Sequence, residues 1–496
     1  MTSIPSSPEQ PTNIRHLVAG EWVDGDGDET LSLDPAHPDR PVAAYRTAGE
    51  ALLDRAVTAA KAAQPDWAKQ GLIQRGLVLR RAAELLAERT EDIALLMTRE
   101  QGKTLPESRA EVGATVETLH YHAGRARAAD SVGYPSSHPD EVIRTVRRPL
   151  GVVAAITPWN FPLQVPAWKL APALLWGNTV VWKPASDTVA VAVAFAEVLV
   201  QAGVPAGALN LLLAPGGLGA ALVAREEVDG VTFTGSVPVG RSIQAAVVPR
   251  GAKVQMELGG HNAALVLPDI DPAEAAAALV AGAMGSTGQK CTATRRIIAV
   301  GEAYDVLLPE LASRVKALVV GDGRVDGVQI GPLVSPEARD EVESAVEQAV
   351  AEGAQVVARA DSPAPTHGAY TAPTLLSGNP DLTICQEEVF GPVTTLLRAA
   401  DLDEAIRIAN GTRFGLTAAV FTCDERAVRR CVTELDAGLV KVNAPNTGSE
   451  LHAPFGGLKE SSFPAPREQN GDSSADFFTW TKTAYLRTGT PSGSRP

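Results

Sequence analysis

GVVAAITPWNFPLQVPAWKLAPALLWGNTVVWKPAS, residues 151–186, is the stretch that decides the fold. Gly151-Val-Val-Ala-Ala-Ile156 and Thr179-Val-Val-Trp182 are short apolar, β-branched runs, each closed by a proline or turn signal. Between them, Val165 to Leu175 has the length and composition of a buried helix. Strands that are apolar without alternation are covered on both faces, and strand–helix–strand at this pitch makes a parallel sheet. Working outward, Thr188 to Ala202 reads as a second helix and Val231 to Phe233 as a third strand before a glycine turn. The second half repeats the alternation with other loops. Its strands are Asn262 to Leu267, Arg296 to Val300, Ala354 to Ala358, Val393 to Leu397 and Leu416 to Phe421, with a helix from Pro272 to about Met284. The pattern predicts two α/β units in series with the break close to Glu257. Ala48 to about Arg127 is helical by the spacing of its apolar residues. Residues 1–15, rich in Pro, Ser and Gln, are expected to be disordered. Val142–Arg148 and Thr483–Arg487 alternate like strands outside both units and are expected to form a small β flap.

The composition narrows the function. A chain of 496 residues has room for about three domains. With 44 Lys plus Arg against 58 Asp plus Glu, the net charge is −14 and no basic block exists, which excludes nucleic acid and anionic lipid as partners. The longest charge-free stretch, Val198 to Ala224, is broken by Gln201, Pro205, Asn210 and Pro215 and is no membrane span. The first residues lack the basic and apolar regions of a secretory signal. Four cysteines in a chain of this length make no disulfide framework, so a reducing cytoplasm is the expected compartment.

Four places can carry chemistry. Cys291, in Gly288-Gln-Lys-Cys-Thr-Ala-Thr294, lies in a glycine-flanked loop beside a lysine, where a thiol is accessible and partly thiolate. A lone cysteine is more often a small buried hydrophobe, the reading that suits Cys385, Cys423 and Cys431. Glu257, between Met256 and Leu258 at a strand end, is expected to be desolvated and so raised toward the pKa of a general base, unless it is an edge-strand carboxylate. Asn160, locked between Trp159 and Phe161-Pro162 at the carboxyl end of a strand, is either a preorganised oxyanion donor or a turn residue. Phe233-Thr-Gly-Ser-Val-Pro-Val-Gly-Arg-Ser242 is a strand, glycine turn and helix start. Its backbone amides can meet a phosphate, although Arg241 replaces the lysine of a P-loop. A P-loop phosphotransferase is therefore the rival class. Lys183 supplies a cation at another strand end, and no cluster has metal-ligand spacing.

Taken together, Thr157-Pro-Trp-Asn-Phe-Pro162, Trp182-Lys-Pro184, Phe233-Thr-Gly-Ser236, Met256-Glu-Leu-Gly-Gly260, Gly288-Gln-Lys-Cys291, Glu387-Glu-Val-Phe-Gly-Pro392 and Pro454-Phe-Gly-Gly457 resemble the aldehyde dehydrogenase superfamily over nearly the whole chain. His261 departs from the family's usual lysine after Glu-Leu-Gly-Gly. The resemblance implies an α/β fold with a Rossmann-like NAD(P)-binding domain at 16–140 and 151–256 and a catalytic domain at 257–475. The segments 141–150 and 476–496 would be oligomerisation strands and tail of a homodimer or homotetramer. Cys291 would be the nucleophile, Asn160 the oxyanion donor together with the Cys291 N–H, and Glu257 the base that activates water. Ile156, Thr157, Pro158, Trp159, Lys183, Ser186, Gly216, Thr234, Gly235, Ser236, Val239, Leu258, Gly259, Glu388 and Phe390 would line the site of NADP or NAD, with no metal. Phe161, Gln164, Trp168, Thr292 and Phe455 would line the substrate pocket.

Keeping Glu257 argues against the CoA-acylating branch, and keeping all three catalytic positions argues against a purely structural relative. Gly288–Thr294 with Arg467-Glu-Gln and Asp476-Phe-Phe-Thr479 resembles 2-oxoglutarate semialdehyde (2,5-dioxopentanoate) dehydrogenases. Succinate-semialdehyde enzymes typically carry an arginine where Trp168 stands here, so that activity and a broad aldehyde specificity rank second. Arg109, Arg125 and Arg295 are the candidate anchors for a substrate carboxylate. Ser186 replaces the glutamate that NAD-preferring relatives often place three residues after the lysine, which favours acceptance of NADP.

Overall fold

The computed structural model describes residues 10–128, 131–362, 364–464 and 469–487. It holds two seven-stranded sheets, each flanked by helices on both faces. In the first, the order is Lys253–Glu257, Val228–Thr234, Val152–Ile156, Thr179–Lys183, Leu209–Leu211, His16–Val18, Glu21–Val23. The first five are mutually parallel, and the two N-terminal strands close the edge in antiparallel fashion. Their side chains separate by parity. Val153, Ala155, Val180 and Trp182 pack into one core with the helices Gln164–Leu175 and Val189–Gln201. Val152, Ala154 and Val181 pack into the other with the helices Glu50–Lys69 and Val237–Val247. Two buried faces explain why these strands carry no polar alternation.

The strand order places Val152–Ile156 beside Val228–Thr234, although two strands intervene in sequence. The chain winds out from Val152–Ile156 in one direction, then returns to build in the other. At such a reversal the loops leaving the carboxyl ends diverge, and a crevice opens between them. The loops here begin at Thr157 and Gly235.

After Glu257 the chain enters the second sheet at Asn262–Val266, so the carboxyl edge of the first sheet faces the amino edge of the second. The second order is Gln355–Arg359, Thr374–Ser377, Val393–Ala399, Thr294–Val300, Asn262–Val266, Thr417–Phe421, Leu439–Val442, parallel except for the first pair. Parity again assigns Ala263 and Leu265 to one core and Ala264 and Val266 to the other.

Glu141–Pro149 pairs with Thr479–Arg487 over nine residues, antiparallel, with Gly133–Tyr134 at its edge. This sheet stands off the body and exposes Val142, Trp480, Tyr485 and Leu486. The expected disorder through residue 15 does not hold: Thr12–Asn13 pairs in parallel with Ala43–Ala44, which supplies backbone partners the composition cannot reveal. Residues 1–9 and Arg467–Glu468 lie outside the described residues, as does 488–496. Among the described residues no helix is long and apolar enough to cross a membrane.

Candidate active site

Between the two sheets lies a cavity of about 670 Å³, at the reversal point of the first. Cys291, Glu257 and Asn160 all line it. Asn160 sits on the loop leaving Val152–Ile156, Glu257 ends its own strand, and Cys291 precedes Thr294–Val300.

Each is held from behind. The Asn160 amide donates to the Gln289 carbonyl at 3.0 Å, which fixes the plane of its second N–H. Its own carbonyl accepts from Lys103 Nζ at 2.7 Å, and that buried lysine pairs with Glu111. The other oxygen of Glu111 accepts from the N–H groups of Leu163 and Gln164 and so anchors the start of the Gln164–Leu175 helix. The thiol loop bends through three consecutive residues at positive φ: Ser286 at 53°, Thr287 at 56° and Gly288 at 66°. At Gly288 a Cβ would lie 2.0 Å from the Gly391 carbonyl, so only glycine fits. Strain at Ser286 and Thr287 persists because neighbours fix both. Glu107 accepts from the Ser286 N–H at 2.6 Å, and the Thr287 hydroxyl donates to the Gly331 carbonyl at 3.2 Å.

The electrostatics are those of a dry pocket. Burial pushes Glu257 up to about 8, with Glu388 adding to the shift and Lys169 opposing it. Glu257 Oε1 is buried without a hydrogen-bond partner among the described residues, while the carboxyl meets the Cys291 thiol. The thiol is half-buried, and its pKa rises well above the ordinary cysteine value through burial and the nearby Glu257 and Glu388. The expectation of a partial thiolate is therefore corrected. Lys290, the residue before the thiol, does not offset two carboxylates, so the proton must be removed when the thiol attacks. Glu257, in contact with that thiol, can take it.

Pro158, Trp159, Thr234, Gly235, Ser236 and Leu258 line the same cavity, as do Gly259, Glu388 and Phe390. Thr234 Oγ1 is buried without a partner there. Phe161, Gln164, Trp168, Thr292 and Phe455 also line it, with Trp168 and Phe455 rings 5.2 Å apart. Ile156, Thr157, Lys183, Ser186, Gly216 and Val239 do not. They continue along the carboxyl edge of the first sheet, where Gly219 on the Gly216–Ala224 helix packs against the Lys183 stem and Ile156. Val239, 48% exposed, sits in the first turn of Val237–Val247, whose leading N–H groups open onto this cleft.

Three calls fail. Gly240 is no phosphate-loop glycine: it lies inside a helix, where a Cβ would meet Leu258 at 2.9 Å, and Arg241 pairs outward with Glu460. Arg109 pairs with Glu91 on the surface, Arg125 with Asp472, and Arg295 donates to the carbonyls of Gly391 and Gly288, so none of the candidate arginines lines the cavity. Cys423 is exposed rather than buried. Sequence reading missed Lys169, Lys103 with Glu111, and Glu107. Lys169, Glu111 and Glu107 are charged residues on helices and Lys103 sits in the loop between two helices, none within a motif, and the signal that could have exposed Lys169 is its place in an otherwise apolar helical run.

The Aldehyde dehydrogenase family profile matches residues 22–484. The chain belongs to that family. An alpha-ketoglutaric semialdehyde dehydrogenase from Bacillus subtilis is 40% identical over 485 residues, covering 97% of this chain and 99% of the relative. Betaine aldehyde dehydrogenase from Staphylococcus aureus, solved with NAD+, superposes with a TM-score of 0.91 at 31% identity, covering 96% of this chain and 95% of that one. 3,6-Anhydro-L-galactose dehydrogenase, solved with NADP, gives 0.91 at 34% identity, covering 96% and 100%. The protein is an aldehyde dehydrogenase that works with a nicotinamide coenzyme.

Proposed function

We propose that the protein oxidises 2,5-dioxopentanoate to 2-oxoglutarate through covalent catalysis at Cys291. The contact between the Cys291 thiol and the buried Glu257 carboxyl carries this reading. Glu257 takes the thiol proton as sulfur bonds to the aldehyde carbon, and the oxyanion receives N–H groups from Asn160 and the Cys291 backbone. When bound, the nicotinamide coenzyme supplies the hydride acceptor that turns this adduct into a thioester. Thr234, Gly235 and Phe390, where a buried hydroxyl lacks a partner among the described residues, would hold its ring end, and Lys183 and Ser186 its adenosine end. Glu257, its first proton passed to solvent, takes one from water as the oxygen bonds to the thioester carbon; the C–S bond breaks, the acid is released, and Glu257 returns its proton to the thiolate. Lys169, 0% exposed and bonded to Thr232 and Gln469, is the cation that tempers the Glu257 pKa.

The substrate follows from the Bacillus subtilis relative and from the wide cavity floor. There the helix Leu105–Arg125 presents the small residues Ala110 and Ala114 alongside Glu107 and Glu111. Ser186 places no carboxylate at the ribose end, so NADP is accepted at least as well as NAD. The outward sheet of Glu141–Pro149 and Thr479–Arg487, with its exposed Trp480 and Tyr485, supports a homo-oligomer. The test is kcat/KM over a panel of 2,5-dioxopentanoate, succinate semialdehyde and plain aldehydes, with the free acid identified as product. Succinate semialdehyde equal to or better than 2,5-dioxopentanoate would refute the substrate assignment, and a requirement for CoA would refute the hydrolytic half.

A further inference from the structure

A semialdehyde that ends in a carboxylate brings a full negative charge into a cavity already lined by Glu107, Glu111, Glu257 and Glu388. A buried charge needs a partner. The three arginines that sequence reading offered lie elsewhere. Lys103 is committed, with Glu111 at 2.5 Å and the Asn160 carbonyl at 2.7 Å. Lys169 is committed to Thr232 and Gln469.

One cation lines the cavity among the described residues, and it is Lys290, the residue before the thiol. It makes no hydrogen bond or ion pair among the described residues. Its Nζ lies 3.2 Å from where a Gly285 side chain would begin, beside Glu107. Glu107 is the carboxylate nearest to it, but no ion pair closes between them, and the Glu107 oxygens also accept from Thr104 and Ser286. Burial lowers the Lys290 pKa and the neighbouring Lys103 adds to it, while the Glu107 charge opposes both. A second donor belongs to a side chain of the same cavity wall: the Trp168 indole Nε1 is buried with no partner among the described residues, on a ring 9% exposed that lines the cavity.

Resting on the reading of this site as a semialdehyde dehydrogenase, we propose that Lys290 receives the far carboxylate of an anionic aldehyde, with the Trp168 N–H as second donor. The chain length suits this. A five-carbon semialdehyde puts its carboxylate carbon about 5 Å from its aldehyde carbon, a length that an extended lysine side chain of about 6 Å on the residue next to the thiol can match. The ammonium gives charge, the indole gives direction, and the acid end is fixed without an arginine. Trp168 stands where succinate-semialdehyde enzymes resemble one another in carrying an arginine, so the two solutions would differ in which wall grips the acid.

The test uses the whole enzyme with saturating coenzyme and reads the ratio of kcat/KM for 2,5-dioxopentanoate to that for pentanal. Lys290→Met should lower the ratio about 100-fold, mostly through KM, and Lys290→Arg should restore most of it. Trp168→Phe, which keeps the ring and removes the N–H, should lower it about 10-fold. If Lys290 only shapes the thiol loop, both substrates fall together and the unchanged ratio overturns the proposal. Should Lys290→Met fail to fold, the wild type decides with 2,5-dioxopentanoate against its methyl ester: equal values overturn the subsite, and an acid preference of about 100-fold supports it. A wild type that prefers another anionic aldehyde refutes the proposed substrate alone, and the Lys290 ratio is then read on that aldehyde. A wild type that prefers pentanal to every anionic aldehyde refutes both.

Discussion

At the Cys291 end of the cleft every loop is tied from several sides, whereas the Lys183 end is loosely furnished. Gly288 admits no side chain against Gly391, Lys103 holds the Asn160 carbonyl, and Arg295 donates both to the Gly288 carbonyl of the thiol loop and to the Gly391 carbonyl packed against it. Further along the same edge, a Cβ at Gly216 or Gly217 would meet nothing within 4 Å, Ser186 Oγ reaches the Ala214 carbonyl at 3.4 Å, and Lys183 donates to its neighbour Pro184. Chemistry needs atoms placed to within fractions of an ångström, and a locked scaffold provides that. Coenzyme choice is a difference of a few contacts, and a loose scaffold can shift it. Substitutions at the first end should therefore act by orders of magnitude, and those at the second by graded amounts.

The sharpest test of the locked end is the thiol. Cys291→Ser should lower aldehyde oxidation by about 10⁴-fold or more, since a hydroxyl is a far weaker nucleophile and Glu257 cannot ionise it. Cys385, Cys423 and Cys431 should each be replaceable with activity kept. Peptide mapping after iodoacetamide gives the independent check, and inactivation that tracks labelling of another cysteine would break the assignment.

Glu257→Gln comes next. A neutral amide takes no proton from water, so thioester hydrolysis should slow by about 10³-fold. Stopped-flow should show a burst of reduced coenzyme and then a slow steady state. Because Glu257 also meets the thiol, the burst itself should slow, but less. A burst and a steady rate that fall by the same factor would leave Glu257 without its role in hydrolysis.

Lys169 sharpens the comparison further, because it acts on the reaction without lining the cavity. Burial holds the Glu257 pKa well above the usual carboxylate range, so steady-state kcat should rise with pH as the carboxyl loses its proton. The Lys169 charge holds the Glu257 pKa down. Lys169→Met removes that influence, so the Glu257 pKa rises and the ascending limb should move to higher pH by about one unit. A limb that stays in place, with kcat lowered at every pH, would make Lys169 a packing residue.

How much of this the sequence carried follows from where the physical constraint lies. The alternation of apolar strands and helices was legible because both faces of each sheet are buried, which leaves a run such as Val152–Ile156 no polar residue. Asn160, Glu257 and Cys291 were legible because each sits in a short segment whose neighbours are dictated by close contacts, as Gly288 is by Gly391. Lys103, Glu111 and Glu107 were not. Their partners lie 57, 52 and 179 residues away, at Asn160, Leu163 and Ser286, and nothing local marks them. The Thr12–Asn13 strand was hidden for the same reason, since its partner is Ala43–Ala44. His261, which departs from the family pattern, is explained locally: it is buried, donates to the Ile384 carbonyl at 3.0 Å and packs on Phe414.

The smallest expected effect belongs to the loose end. Ser186 meets Tyr45 and the Ala214 carbonyl, and it places no charge where an adenosine ribose would lie. Lys183 stands three residues back as the available counter-charge for a 2′-phosphate. Asp187 opposes it: its charge acts on Lys183, raising the lysine's pKa while burial lowers it to about 8. With one cation and one carboxylate in balance, NADP and NAD should be used at comparable kcat/KM, NADP at least as well. Ser186→Glu adds a second carboxylate, which accepts from the ribose hydroxyls of NAD and repels the phosphate of NADP. The NADP to NAD ratio should then fall by about tenfold, roughly 1.4 kcal/mol. The measurement is kcat/KM for both coenzymes with one aldehyde, before and after the substitution. A wild-type NADP value below about a tenth of the NAD value would identify Asp187, rather than the residue at 186, as the group that selects the coenzyme.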